Sequence, residues 1–142
     1  MIKTFKGALA DGGQNRIKLS TIKGKVGYRI IKFQVISAEP FAKSGEHVAK
    51  LYYTEQSTID AVVDFTDSNL LGVSLWRASA GETYALSTTI IFDSEMFNQD
   101  IFITHSDINT DNTLLSYYIE MEAIELTDMA AEYTTIKDLR AG

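Results

Sequence analysis

The residues best suited to chemistry in this chain are its two histidines, His47 and His105. Ser106 and Asp107 follow His105, and a serine, a histidine and a carboxylate are the groups that nucleophilic hydrolysis needs. Neighbouring residues of an extended strand point to opposite faces, so His105 cannot act as the base for Ser106. The Gly-x-Ser-x-Gly elbow of hydrolases is missing, and two histidines are few for a metal-dependent jelly-roll enzyme. We therefore expect a protein that is not an enzyme.

A short segment after His105 carries oxygen ligands at a metal-binding spacing. Asp107, Asn109 and Asp111 match the first three oxygen ligands of a calcium loop. Asn112 then stands where the loop needs glycine, and Tyr118 where it needs a glutamate. A hairpin loop rich in Asx residues has the same composition without a metal. The sequence predicts no cofactor apart from a candidate calcium ion held by Asp107, Asn109 and Asp111.

Adjacent aromatic residues could form a binding platform. Because side chains alternate along a strand, one of Tyr52 and Tyr53 and one of Tyr117 and Tyr118 must face away from the core. Outward tyrosines are favoured in protein interfaces and in carbohydrate sites alike. We take Tyr53, Tyr118 and Trp76 as candidate members of a binding surface.

Length, composition and charge narrow the class of protein. The chain has 142 residues, 45% of them hydrophobic, and no cysteine, which predicts one domain without disulfides or thiolate metal sites. Its net charge of −6 argues against binding to nucleic acid or to an anionic membrane. The first residues lack the apolar run of a signal peptide, and no stretch is long and apolar enough for a membrane helix. We expect a soluble protein that is synthesised in the cytoplasm.

The charges are divided along the chain. Residues 1–50 hold ten lysines and arginines against three acids, and residues 51–142 hold three against sixteen. In residues 16–22 and 28–36 the bases alternate with apolar residues, as on half-buried strands. These basic strands either pair with acidic strands of the same domain or form a surface that docks to other molecules. The candidate interface residues are Lys18, Lys23, Lys25 and Arg29, together with Tyr53 and Tyr118.

Period-two alternation between turn residues predicts about eight strands. The nine candidate runs are residues 2–6, 15–22, 28–37, 48–54, 61–65, 70–77, 83–92, 100–105 and 113–126, with the two runs around residues 66–69 forming one hairpin. Residues 15–22 and 28–37 read as a second hairpin, residues 83–92 as the partner of 100–105, and the phase change at Ile124 and Leu126 as a β-bulge.

The predicted fold is an all-β, two-sheet antiparallel sandwich that forms a single domain over residues 1–142. A jelly-roll-like arrangement is favoured over an immunoglobulin-like one, because the cysteine–tryptophan–cysteine pattern is absent, but the sequence does not separate the two. Residues 128–142 are expected to form a short C-terminal helix or an extended tail that docks on the body.

Several short motifs spread over most of the chain resemble those of small proteins encoded among the virion genes of marine bacteriophages. They are residues 11–14 (Asp-Gly-Gly-Gln), 27–30 (Gly-Tyr-Arg-Ile), 50–56 (Lys-Leu-Tyr-Tyr-Thr-Glu-Gln), 90–93 (Ile-Ile-Phe-Asp), 97–101 (Phe-Asn-Gln-Asp-Ile) and 117–120 (Tyr-Tyr-Ile-Glu). The resemblance implies a capsid decoration or minor capsid protein, located in the virion, whose partners are the major capsid protein, other virion proteins or further copies of itself. It carries no catalytic residues to transfer. The alternative hypothesis is a carbohydrate-binding module for host attachment.

Overall fold

A computed structural model of the chain describes residues 1–20, 25–92, 96–109, 113–127 and 134–135. Within these residues, eight strands form two antiparallel sheets. The strands are β1 (Ile2–Leu9), β2 (Gln14–Ile17), β3 (Val26–Ser37), β4 (Gly45–Tyr52), β5 (Leu70–Ala78), β6 (Leu86–Ile91), β7 (Ile101–Asp107) and β8 (Leu115–Glu125). The predicted all-β sandwich of two antiparallel sheets is confirmed.

The order of the strands places the first beside the last. One sheet has the order β1-β8-β3 and the other β2-β7-β4-β5-β6. A jelly roll is a rolled antiparallel ribbon in which strand one pairs with eight, two with seven, three with six and four with five. Three of these pairs are present, but β6 pairs with β5 alone and contributes no ladder to β3. The jelly-roll part of the prediction is therefore not confirmed.

Alternation along the strands builds the core between the sheets. On β8, Tyr117, Ile119 and Met121 point inwards and are buried. They pack in one cluster with Phe33 of the same sheet and with Ile103 of the other sheet. Each fully buried side chain of this size contributes about 1.5–3 kcal/mol relative to an exposed one, so this cluster stabilises the sandwich.

Two of the predicted strand pairings are wrong. β2 pairs with β7 while β3 pairs with β8, so residues 15–22 and 28–37 do not form a hairpin. β6 pairs with β5, and β7 lies between β2 and β4, so residues 83–92 and 100–105 are not partners. Adjacency in sequence favours a hairpin locally, but the packing of two layers around one core selects the partner of each strand.

The predicted hairpin around residues 66–69 is also wrong. Residues 61–65 form no strand, and the whole connection 53–69 runs from β4 to β5, which pair directly with each other. The predicted bulge at Ile124 and Leu126 is wrong, because β3 and β8 pair without a register shift from Glu125 to Met121 of β8. The register shifts instead between Ile30 and Lys32 of β3. The predicted tail, 128–142, lies outside the described residues except for Thr134, which is buried, and Thr135, whose Oγ1 lies 2.6 Å from Asn98 Nδ2.

Candidate functional site

The two histidines meet in the core as a buried hydrogen-bonded pair. His105 Nδ1 lies 3.0 Å from the carbonyl oxygen of Leu9, so in the neutral pair this nitrogen donates and His105 Nε2 accepts. His47 Nδ1 lies 2.8 Å from that Nε2 and donates to it. His47 Nε2 is then an acceptor, and it is buried with no hydrogen-bond partner among the described residues. The pair joins β1 of one sheet to β4 and β7 of the other.

The environment of His47 closes it to substrates. Its side chain has no exposed area, and a Cβ at Gly45 would collide with its Nε2. Burial lowers the pKa of His47, although the carboxylate of Asp107, 3.9 Å from His47 Nδ1, acts in the opposite direction. Trp76 covers the ring at a centroid distance of 6.0 Å. The pair therefore serves as a polar link between the sheets and offers no accessible base.

The structure describes two of the three candidate calcium residues, Asp107 and Asn109. Asp107 is turned inwards, where its Oδ1 accepts hydrogen bonds from the backbone N–H of Glu46 at 3.1 Å and of Asn109 at 2.9 Å. Asp111 lies outside the described residues. Those residues hold no group of three histidines, aspartates or glutamates that could bind a metal. Calcium at Asp107, Asn109 and Asp111 stays a prediction, which titration calorimetry at millimolar calcium tests.

The candidate basic residues lie at the edges of the sheets. Arg29 of β3 is paired inside the domain, because its Nη2 lies 2.9 Å from Glu122 Oε2 on β8. Lys18 and Lys25 are exposed, and Lys23 lies outside the described residues. Acidic β8 thus runs between the basic strands β1 and β3, which favours the hypothesis that opposite charges pair within one domain.

The candidate aromatic residues have three different environments. Trp76 is only 6% exposed and packs on Phe41, so its predicted place on an outer platform is wrong. Tyr53 is half-buried, with its ring edge-on to Phe97 at a centroid distance of 6.1 Å. Tyr118 faces outwards while Tyr117 lies in the core, as the alternation predicts.

Tyr118 forms the floor of an open groove on the outer face of the three-stranded sheet. Its hydroxyl donates a hydrogen bond of 2.8 Å to Glu120 Oε1, and Lys6 and Gln34 flank it in register on β1 and β3. The groove has a volume of about 610 Å³ and is lined by Lys6, Gly7, Ala8, Gln34, Ile36, Ser116, Tyr117 and Tyr118. A partly exposed ring with polar neighbours can receive the flat face of a sugar or an apolar side chain of a partner.

A second opening separates the sheets where β3 passes β6. This cleft has a volume of about 290 Å³ and is lined by Gln34, Val35, Ile36, Ser74, Trp76, Ser87 and Thr89. Ser74 Oγ and Thr89 Oγ1 are hydrogen-bonded to each other at 2.8 Å across β5 and β6. The cleft lies where a β3–β6 ladder would close a jelly roll, so it leaves β6 open on its inner side.

The most exposed strand of the molecule is β6, which the sequence did not single out. Every residue from Leu86 to Ile90 is exposed, including Leu86 at 63% and Ile90 at 41%. Exposed Leu75 of β5 lies beside them, and exposed Phe65 packs edge-on against Phe92 at 5.7 Å. The absence of charge from 86 to 92 was a signal in the sequence, but such a run is equally typical of a buried strand.

Comparison of the chain with protein-family models, with curated proteins and with solved structures finds no match. Among the described residues, no helix has the length and apolar character that crossing a membrane requires.

Proposed function

We propose that this chain is a non-enzymatic structural protein of a virus particle, a capsid decoration or minor capsid component that assembles through its surface. The observation that carries the proposal is β6, an edge strand that is exposed, uncharged and bordered by exposed apolar side chains. Exposed edges of this kind favour pairing with another chain, and apolar patches favour protein contacts. The resemblance of several motifs to virion proteins of marine bacteriophages supports the same class.

The fold is compatible with this role. We regard it as a jelly roll in which the sixth strand pairs with the fifth and has separated from the third. Jelly rolls recur in viral capsid domains, where they present loops and edges to neighbouring subunits. A repeated lattice also multiplies a modest contact by avidity, so a small contact made by each copy suffices for stable attachment.

The first experiment measures the number of copies of this chain in purified virus particles by quantitative mass spectrometry, relative to the major capsid protein. Hundreds of copies would identify a shell or decoration protein, and roughly five to twelve would place it at vertices or at the tail, as closed symmetry requires. Absence from the particle would overturn the proposal.

The basic surface has its own test within this proposal. Charge reversal at Lys18, Lys23 and Lys25 should weaken binding to the particle, and the remaining binding should depend less on salt than that of the native chain. The matched control is Lys43→Glu, because Lys43 Nζ pairs with Glu39 of its own turn at 3.3 Å. Equal binding of the native and charge-reversed chains would remove these residues from the interface.

Carbohydrate binding is the second candidate function, and the groove at Tyr118 favours it. A glycan array probes it directly, since a protein that only attaches to a shell should bind no glycan. Tyr118→Ala should abolish any glycan signal, while Tyr84→Ala, at a tyrosine that is 62% exposed, should keep it. A signal that both variants retain would place the sugar elsewhere.

A further inference from the structure

The hydrogen bonds between β5 and β6 determine which backbone groups of β6 are free. The N–H of Phe92 donates to the carbonyl oxygen of Leu71 at 3.1 Å, so these two residues form a hydrogen-bonded pair. Such pairs alternate along an antiparallel ladder. In the register of β5 and β6, the other residues whose N–H and C=O groups face β5 are Leu86, Thr88 and Ile90.

The alternate residues of β6 present their backbone groups to the open edge. These residues are Ser87, Thr89 and Ile91, and no described strand forms a ladder with them on that side. Ser87 and Thr89 are exposed and Ile91 is half-buried, so another chain can reach this edge. Within the described residues, the three N–H donors and three C=O acceptors of Ser87, Thr89 and Ile91 are thus available for hydrogen bonds to a further strand.

Charge distinguishes β6 from the other edges of the two sheets. Among the described strands, the remaining edge strands carry cations: Lys3 and Lys6 on β1, Arg16 on β2, and Arg29 and Lys32 on β3. Charges on an edge strand oppose pairing with other chains. β6 has no charged residue. Two copies of this chain, each with a net charge of −6, can therefore meet at β6 without repulsion between like charges on the paired strands.

We propose that β6 pairs antiparallel with β6 of a second copy of this chain, about a two-fold axis that passes through Thr89. This register sets Thr89 opposite Thr89 of the second copy and Ser87 opposite Ile91 of the second copy. All the free backbone groups are then paired, in about six hydrogen bonds. A two-fold axis between Thr89 and Ile90 would instead set the free backbone groups of Thr89 opposite Ile90 of the second copy. The backbone groups of Ile90 already bond to β5, so the new pairing would require those bonds to break.

The side chains fit the same register. On the outer face, Ile90 lies opposite Thr88 of the second copy, and Leu86 opposite Phe92, which Phe65 already covers on one side. β-Branched, aromatic and apolar cross-strand pairs stabilise antiparallel sheets, and Thr–Thr pairs do so as well. The pairing therefore covers part of Leu86 and Ile90 and joins the two five-stranded sheets into one. This inference rests on the proposed function, in which the dimer is the unit that binds the particle.

Sedimentation of the isolated full-length chain over a range of concentrations tests the dimer. We expect a reversible monomer–dimer equilibrium. Thr89→Pro removes an N–H that points to the second copy and leaves the ladder to β5 intact, and Ile90→Lys places a cation beside the axis. Each variant should raise the dimer Kd about tenfold or more.

Two matched controls accompany these variants. Ile2→Lys makes the same substitution as Ile90→Lys at a 53% exposed position on the edge strand β1, and it should leave the Kd unchanged. Thr89→Val removes the hydroxyl bond to Ser74 but keeps the backbone N–H, so it should preserve the dimer. A native chain that stays monomeric at every concentration, or an equal effect of Ile2→Lys and Ile90→Lys, would overturn the inference.

Single cysteines test the register independently, because the native chain contains none. Thr89→Cys should form an intermolecular disulfide on mild oxidation, since facing residues of a hydrogen-bonded pair have Cα atoms about 5.5 Å apart, within disulfide range. Ser87→Cys should not, because its two copies lie about 14 Å apart along the strands. Cross-linking of both variants, or of neither, would exclude the axis at Thr89. The copy number in the particle is measured in a separate experiment. A chain that is monomeric in solution but present in virions would therefore refute the dimer and leave the proposed function standing.

Discussion

A buried histidine with an unpaired acceptor atom makes the stability of this protein sensitive to acid. His47 donates from Nδ1 to His105, and its Nε2 has no partner in the described core. Protonation would place a second N–H in that unpartnered position and a charge in a buried site. Burial accordingly lowers the pKa of His47 below its ordinary value of 6.5.

The free energy of unfolding should therefore fall as the pH drops below 6.5. In that range the unfolded chain binds a proton at His47 that the folded chain does not, so stability decreases by up to about 1.4 kcal/mol per pH unit until the lowered pKa is reached. Urea unfolding at pH 8, 7, 6 and 5.5 measures this slope. His47→Asn keeps a donor near Nδ1 but does not titrate, so its slope above pH 5.5 should be smaller. Identical slopes in the two proteins would assign the effect to other groups.

At the scale of elements, Asp100 fastens the end of β2 to the start of β7. Its Oδ1 accepts the backbone N–H of Leu19 at 2.7 Å and of Ser20 at 2.8 Å, and its Oδ2 accepts Arg16 Nε at 2.7 Å. Burial alone would raise the pKa of Asp100, but the backbone bonds from Ser20 and Leu19 and the bond from Arg16 outweigh it and lower the pKa to about 2. The ionised carboxylate is thus part of the fold.

Asp100→Asn should lower the free energy of unfolding by about 1–3 kcal/mol, because it removes a charged acceptor from the backbone N–H groups of Leu19 and Ser20 and from Arg16. The native chain should also lose stability as the pH falls from about 4 towards 2, while the variant should lack this component. Chemical unfolding between pH 2 and 7 measures both effects. Glu39→Gln, in the exposed pair with Lys43, should change stability by less than about 0.5 kcal/mol. A similar loss in both variants would contradict the role of Asp100.

Lys50 holds the long connection 53–69 over the outer face of the five-stranded sheet. The residue is 2% exposed, and its Nζ donates to Asp60 Oδ1 at 3.1 Å and to the carbonyl oxygen of Val62 at 2.6 Å. Lys50→Met should destabilise the protein by about 1–3 kcal/mol and speed proteolysis within 53–69, because the acceptors lose their donor. Limited proteolysis with mass spectrometry locates the cuts. Lys43→Met, at an exposed ion pair, is the control, and equal cleavage of both variants would refute the anchor.

At the scale of the molecule, the N-terminal strand completes the fold. β1 pairs with β8 along its whole length, and the carbonyl of Leu9 receives the hydrogen bond of His105 from the other sheet. Deletion of residues 1–9 would expose an edge of β8 and leave Nδ1 of His105 without its acceptor. We expect the shortened chain to lose its cooperative thermal transition and to bind the dye ANS, as a collapsed chain without fixed packing does. A cooperative melt close to that of the full chain would show that β1 is dispensable.

The local pattern predicted most strands because alternation reports which residues can share a buried face. Residues 28–37 and 113–126 agree with β3 and β8 within a few residues, and the outward position of Tyr118 followed from Tyr117 beside it. The pattern failed at residues 61–65, where alternation was short and Lys50, distant in sequence, supplies the hydrogen bonds that hold a loop.

The candidate site was less predictable from the sequence than the strands, because it depends on contacts between residues that are distant in sequence. His47 and His105 are 58 positions apart, and only the pairing of β4 with β7 brings their rings together. Trp76 was expected on the surface, but Phe41 and His47 cover it from other elements. No local pattern reports such contacts, because burial is decided by what packs on a face rather than by the face itself.

The sequence by itself determined the class of fold, the absence of disulfides and the alternation of buried and exposed faces, since these depend on residue type and period. Only the tertiary structure decided which strands pair, which strand lies at an edge and which polar groups meet in the core. The reason is physical: hydrogen bonds between strands are made by the backbone, which is common to all residues, so the partner of a strand is selected by the packing of the whole core. The exposed edge of β6, on which the proposed assembly rests, is a consequence of that selection.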